Sequence, residues 1–389
     1  MAVVSLSDPD FLADPYPAIA EHRHLGVVPN TNHGGWWVLD SKTIKQLIRD
    51  PRLASDPELA DPDAPITKVF KQARLSMFYM DPPDHTRVRG SVKADFSPRS
   101  VNDLETSIAS TATRILESLP DSGRIDIAAT FCDLLPMTVM SDFLGVEPER
   151  RGEFRKWTLA RTSGMFDPKK GGTPEFLGAT AALRSYFADR IRAAASGPAD
   201  GLVGRLVDTG TLTEGEMVDL LVVMLGAGII TTADLLGNTI NALAGDPAEM
   251  EQLRADPTLM PTAIEETLRF DSPALSAGRI VLDERELFGQ TIPAGTWLRL
   301  MTAAVGRDPE CNPEPDRYLL QRAQRDHAAF GGGLHHCLGL HLGKLQGVVG
   351  LRLLLERYPS ITIAANAPVG VRRNIPGFRG FDSLLVDVG

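Results

Sequence analysis

Residues 328–343 read AAFGGGLHHCLGLHLG, with three consecutive glycines, two adjacent histidines and one of only three cysteines in the chain. Cysteine and histidine are metal ligands, so the stretch raises two questions: which metal, and held by which donor. A structural zinc site can be drawn from His335, His336, Cys337 and His341. Neighbours in sequence do not all converge on one tetrahedron, however, and no second Cys or His pair has the usual spacing. A covalently attached c-type haem requires C-x-x-C-H, which is absent. A cysteine just ahead of a helix lies near backbone N–H groups that favour its thiolate. Such a thiolate is the axial ligand of oxygen-activating haem enzymes. The plain alternative is a glycine turn and a buried cysteine before a helix. The glycines would permit positive φ and close backbone approach, as to a flat ligand.

The elements that must position these residues follow from periodicity. GVVPNTNHGGWWVLDS (26–41) alternates like a hairpin, with Trp36 and Trp37 as core of an N-terminal sheet. Residues 41–57 read as a helix started by Ser41 and stopped by prolines. Helical spacing dominates 98–270, in segments at 100–119, 177–196, 214–245 and 260–270. After 277 come short β-like runs, then one long helix at about 338–357 and a tail of strands and turns. The expectation is a mostly α protein with minor β, one domain over 1–389. Its β-rich parts are about 1–70 and 278–320, and its helical parts are 98–270 and 338–357.

The string F-G-x-G-x-H-x-C-x-G is matched by Phe330, Gly331, Gly333, His335, Cys337 and Gly339. With it the chain resembles the cytochromes P450, haem-thiolate monooxygenases, and further features of that family follow in order along almost the whole chain. The resemblance implies haem b, with Cys337 as the ligand to iron and O2 as co-substrate. It implies that His85 and Arg89, in MDPPDHTRVRG, hold the haem propionates from one side. Arg279 and His335 would hold them from the other. Glu266 and Arg269, in EETLR, match the family's E-x-x-R, and Arg317, in EPDRYLLQR, would complete a buried Glu–Arg–Arg network.

The long apolar helix departs from its relatives. Ala227 and Gly228 fit the groove over the haem, and Thr231 and Thr232 fit the alcohol positions assigned to catalysis. Ile230 stands where the family has an acid, and an apolar residue cannot relay protons. Thr231 with water or a substrate hydroxyl is then the expected proton source. Asp234 lies one turn further on, displaced by about 5–6 Å along the helix, and reads as salt-bridged or solvated. The substrate pocket implied by the pattern comprises Met77, Phe78, Tyr79, Met224, Ile230, Leu275, Ser276, Ile375 and Phe378. These residues are largely apolar, which suits a bulky apolar substrate.

A net charge of −10 with interspersed signs argues against general nucleic-acid affinity. The opening residues are acidic and proline-broken, unlike a leader, which points to a cytoplasmic protein. LLVVMLGAGIITTA (220–233) is fourteen residues long, short of the roughly 20 needed to cross a bilayer. No reductase-type G-x-G-x-x-G is present, so electrons from NAD(P)H are expected through a separate ferredoxin and ferredoxin reductase. Arg87, Lys93 and Lys344 are the candidate docking cations, and a monomer is expected. The function so implied is monooxygenation of a small, mostly apolar molecule, as in natural-product tailoring. The alternatives are an oxidative-coupling or ring-forming member and a non-catalytic haem-binding protein.

Overall fold

The computed structural model describes residues 8–30, 34–73, 77–167, 169–197, 201–365, 371–372 and 375–389. The turn of the expected hairpin at 31–33 and the opening residues 1–7 lie outside them. Helices dominate, and the longest, Glu214–Gly245, runs 32 residues through the largest apolar core. Its start is fixed by a capping box, in which Thr213 and Glu216 satisfy each other's backbone N–H groups. Its span is the one the helical spacing gave, 214–245; it extends beyond the fourteen-residue apolar run, and by length and composition it could cross a membrane. Most of it is buried inside the protein, as expected of a helix apolar on all faces at the centre of a large core.

Helices Pro174–Ser196, Met260–Phe270 and Leu340–Arg357 match the expected spans closely. The segment 100–119 is instead divided, into Pro98–Asn102 and Glu105–Glu117. The helix begins at Ser41 as expected but ends at Leu47 rather than near 57, and its cap is Asp40, which accepts from the Thr43 N–H at 2.7 Å. The Ser41 hydroxyl donates instead to Asp308, at 2.5 Å.

Five strands form one mixed sheet, in the order Val27–Pro29, Trp36–Val38, Trp297–Leu300, Ala277–Val281 and Leu53–Ala54. The first two form the expected hairpin, with Val27 opposite Val38 and Pro29 opposite Trp36. Only the Trp36 and Trp297 strands run parallel. The two β segments of the sequence are therefore halves of one sheet. The β-rich reading of 1–70 is corrected, because helices Pro9–Ala13, Tyr16–His22, Ser41–Leu47 and Pro65–Ala73 supply most of its ordered structure. In 278–320 the strands end at Leu300, where the chain turns into helix Thr302–Gly306. A second sheet joins Gly123–Asp126, Leu385–Val388 and Ile361–Ile363, tying the tail to the helical part.

Candidate active site

The cysteine loop is fastened before it reaches the sulfur. Gly331 and Gly333 take φ of 68° and 65°, a region open to glycine. The Cys337 N–H donates to the Phe330 carbonyl at 2.9 Å, and Gly331 N–H to Ala328 at 2.9 Å. The close approach that the glycines permit is to protein: a Cβ on Gly333 would lie 2.9 Å from the Ile48 carbonyl oxygen. The loop thus locks onto the end of the Ser41 helix, and the expectation that the glycine run approaches a flat ligand is corrected there. The Gly339 N–H hydrogen-bonds the Cys337 sulfur just ahead of helix Leu340–Arg357. Burial pushes the thiol pKa up, while that bond and the Arg89 charge push it down.

The sulfur opens on an apolar cavity of about 210 Å³, lined on its own side by Ala329, Phe330, Leu338, Gly339, Leu342 and Gly343. Opposite lie Val223, Met224, Ala227, Gly228, Thr231, Thr232 and Leu235, one face of the long helix. Met77, Phe78, Phe96, Met140, Pro273 and Ala274 also line the cavity. A Cβ on Gly228 would come within 2.6 Å of the Met140 sulfur, so glycine admits the neighbouring helix Leu134–Leu144. Thr231 Oγ1 donates to the Ala227 carbonyl at 2.6 Å.

Of the nine expected pocket residues, Met77, Phe78 and Met224 line this cavity. The other six are corrections, since none of them lines it. Ile230 is 2% exposed and falls off the helix face that carries Ala227 and Thr231. Tyr79 packs on Phe70 at 4.5 Å and Phe378 on Phe166 at 4.8 Å between ring centroids. Leu275 belongs to the sheet core, its N–H donating to the Gly377 carbonyl at 2.9 Å, and the Ser276 hydroxyl is buried. Ile375 lines a separate cavity with Lys170 and Phe176. Phe96, Met140 and Val223 were missed. Val223 sits at heptad distance from Ile230 and one residue before Met224, so only packing distinguishes it. Asp234 is neither solvated nor part of the cavity wall, but fully buried, with its carboxyl against Gly380.

Four basic side chains meet at one end of the cavity. The rings of His85 and His335 lie 4.4 Å apart, and His85 is 2% exposed with neither ring nitrogen hydrogen-bonded. His335 Nε2 is likewise buried without a partner. Burial first, then Arg279, His85 and Arg89, push the His335 pKa down to about 3, leaving the ring neutral. Arg89 donates to the His336 carbonyl at 2.6 Å, and Arg279 to those of Gly278 and Ile48 at 2.8 and 3.3 Å. Asp81 is the carboxylate that acts on His85 and Arg279, and its oxygens already accept from the Ser55 and Asp56 N–H groups. Orphaned buried donors and surplus positive charge beside a thiol-bearing apolar slot fit a flat group carrying two carboxylates. Those are the properties of haem b.

Behind the loop, Glu266 and Arg269 are both fully buried and form a two-point pair at 2.7 and 2.9 Å. Arg317 is not the third charge. Its side chain is exposed and pairs with Glu314, and only its carbonyl reaches the network, accepting from Arg269 at 2.8 Å and Arg322 at 2.7 Å. Arg322 takes the place, with Nε donating to Glu266 at 3.0 Å, and Arg325 lies 3.5 Å from the same carboxylate. The two candidates are five positions apart, and the turn between them decides which side chain points inward.

The cytochrome P450 profile matches residues 200–368. The 6-deoxyerythronolide B hydroxylase of Saccharopolyspora erythraea is 31% identical, over 99% of this chain and 98% of its own. The chain belongs to the cytochrome P450 family. Cytochrome P450 monooxygenase PikC of Streptomyces venezuelae is 32% identical over 97% of this chain and 92% of its own. Among solved structures, the Bacillus subtilis bacillaene polyketide synthase cytochrome P450 PksS superposes with a TM-score of 0.89 at 28% identity. That likeness covers 99% of each chain. The mostly α P450 fold with small sheets is therefore established, and with it haem iron, O2 and monooxygenase chemistry as the family's equipment.

Of the three cations suggested for docking a P450 redox partner, two are engaged within the chain. Arg87 bridges Asp84 at 2.8 Å and Glu216 at 2.5 Å. Lys344 pairs with Glu265 and sits 5.1 Å over the Phe330 ring. Lys93 is exposed.

Proposed function

We propose that this P450 inserts one oxygen atom into a small, mostly apolar natural product, with residues 1–389 acting as one cytoplasmic, monomeric domain. The observation that carries the reading is that Cys337 and Thr231 line opposite sides of one apolar cavity. Relatives named as a hydroxylase and as a polyketide-associated P450 point the same way. Haem bound there by Cys337, with His85, Arg89, Arg279 and His335 on its propionates, supplies oxygen activation at iron.

The chain's own part is positioning and proton control. Phe330, Gly331 and Gly339 shape the slot around the sulfur, and the Gly339 N–H supports the thiolate. Ala227 and Gly228 keep the opposite wall low. Among the lining residues no carboxylate is present, so the Thr231 hydroxyl, beside Thr232, orders water and passes protons toward the sulfur-facing side. Electrons come from NAD(P)H through a separate ferredoxin and its reductase. The missing carboxylate also favours a second reading, oxidative coupling, in which a substrate hydroxyl replaces the acid.

The test begins with the reduced protein under carbon monoxide. Thiolate ligation gives the red-shifted band, and Cys337→Ser abolishes it. A normal band in that variant rejects Cys337 as the ligand. Product mass then separates hydroxylation, a gain of oxygen, from coupling, a loss of hydrogen, and no turnover with any ferredoxin system leaves only a binder.

A further inference from the structure

Behind Phe78 and Val223, one layer off the cavity wall, lies a second buried guanidinium, that of Arg299. In the paired strands Ala277–Val281 and Trp297–Leu300, Arg279 lies opposite Leu298 and Arg299 opposite Gly278. Opposed residues share a face and neighbours alternate, so Arg279 and Arg299 point to opposite sides of the sheet. Arg279 turns to the cysteine loop's support at Ile48. Arg299 turns to the aromatic wall, with its guanidinium 6.0 Å from the centroid of Phe70. It is 4% exposed, and Nη2 is buried without a hydrogen-bond partner.

Phe70 packs on Tyr79 at 4.5 Å and on Trp297 at 5.4 Å. Val223, which lines the main cavity, belongs to the same cluster as Phe70 and Trp297. Arg161, on helix Arg151–Phe166, is also 4% exposed and acts on the same Tyr79 hydroxyl. Its neighbour Arg184 is answered by Asp219. Among the described residues, Tyr79 is the only titrating group that acts on Arg299, and none is a carboxylate. A guanidinium buried without a counter-charge is costly, and such sites pair with an anion.

We propose that Arg299, with Arg161 and the Tyr79 hydroxyl, forms an anion subsite for the carboxylate of an otherwise apolar substrate. A planar carboxylate matches the guanidinium fork. The apolar remainder would run past Phe78 and Val223 toward Thr231. This rests on the monooxygenase reading above and narrows its substrate class to acids.

The test is calorimetric titration of the haem-loaded protein with dodecanoate and with dodecanamide, which differ only in charge and one polar atom. Dodecanoate should bind at least about tenfold tighter, the scale of one charge-assisted hydrogen bond. Arg299→Met should abolish the preference, and Arg299→Lys should retain part of it. Equal affinities in the unmodified protein, no binding of dodecanoate, or a preference unchanged by Arg299→Met would overturn the subsite. Should Arg299→Met lose its haem, Arg161→Gln and the unmodified protein decide the matter. The carbon monoxide band of the same samples reports on thiolate ligation separately, so failure of that reading is seen independently.

Discussion

Replacing Arg322 by methionine should weaken the protein sharply, while the same change at Arg317 should barely register. Arg322 is 7% exposed and donates to Glu266 at 3.0 Å and to the Glu314 and Arg317 carbonyls at 3.0 and 2.7 Å. Its Nη1 also donates to the Pro313 carbonyl. Methionine keeps the stem and removes every one of these donors. Glu266 retains Arg269 and the Leu319 N–H at 3.0 Å, so the carboxylate is not orphaned. The cost therefore falls at the lower end of the range for a broken buried pair, about 3 kcal/mol. For a chain of 389 residues, the entropy of unfolding per residue converts this to a fall in Tm of about 4 °C. Arg317 and Glu314 are 64% and 58% exposed, and such pairs contribute roughly 0–1 kcal/mol, a shift of about 1 °C or less. Thermal melts of haem-loaded Arg322→Met and Arg317→Met, followed by far-UV circular dichroism and haem absorbance, measure both. Equal shifts in the two variants would refute the assignment of Arg322 as the third charge.

Thr231→Ala should raise peroxide release and lower product per NAD(P)H oxidised, measured by peroxide assay beside product quantitation. If neither changes, proton delivery lies elsewhere. Asp234→Asn should leave that peroxide-to-product ratio unchanged while lowering Tm, because the carboxyl lies against Gly380 rather than on the cavity wall. Ile230→Asp should not restore the family's acid relay: the position is 2% exposed and off the cavity face, so the expected result is lost stability with no gain in coupling. Burial raises the Glu265 carboxyl, but His327 and Lys344 outweigh it and hold the pKa at about 2, against an ordinary 4.5. A depressed folded pKa contributes stability above the unfolded value, so this part is present above about pH 4.5 and fades as pH falls toward 2. Denaturant melts across that window should show Glu265→Gln losing less stability on acidification than the unmodified protein; parallel curves would contradict the pairing.

What the sequence by itself determined was local. The glycine–histidine–cysteine string needs only its own backbone to bring a sulfur to a helix start, and the Gly339 N–H is found at that sulfur. Glu266 and Arg269 are a single helical turn apart, so their pairing was legible too. The span of the long helix, 214–245, followed from its helical spacing. Tertiary structure decided the rest, because it depends on which surfaces meet. Residues 26–41 and the runs after 277 each read as β, but nothing in either says that they share one sheet. Arg317 and Arg322 are equally good arginines until the turn Leu319–Arg322 between them aims one inward. Six of nine expected pocket residues do not line the cavity, since burial and lining look alike in an apolar sequence. Arg299 was silent in the sequence. Only the fold seals it among Phe70, Tyr79 and Trp297, and burial without a counter-charge is what makes it informative.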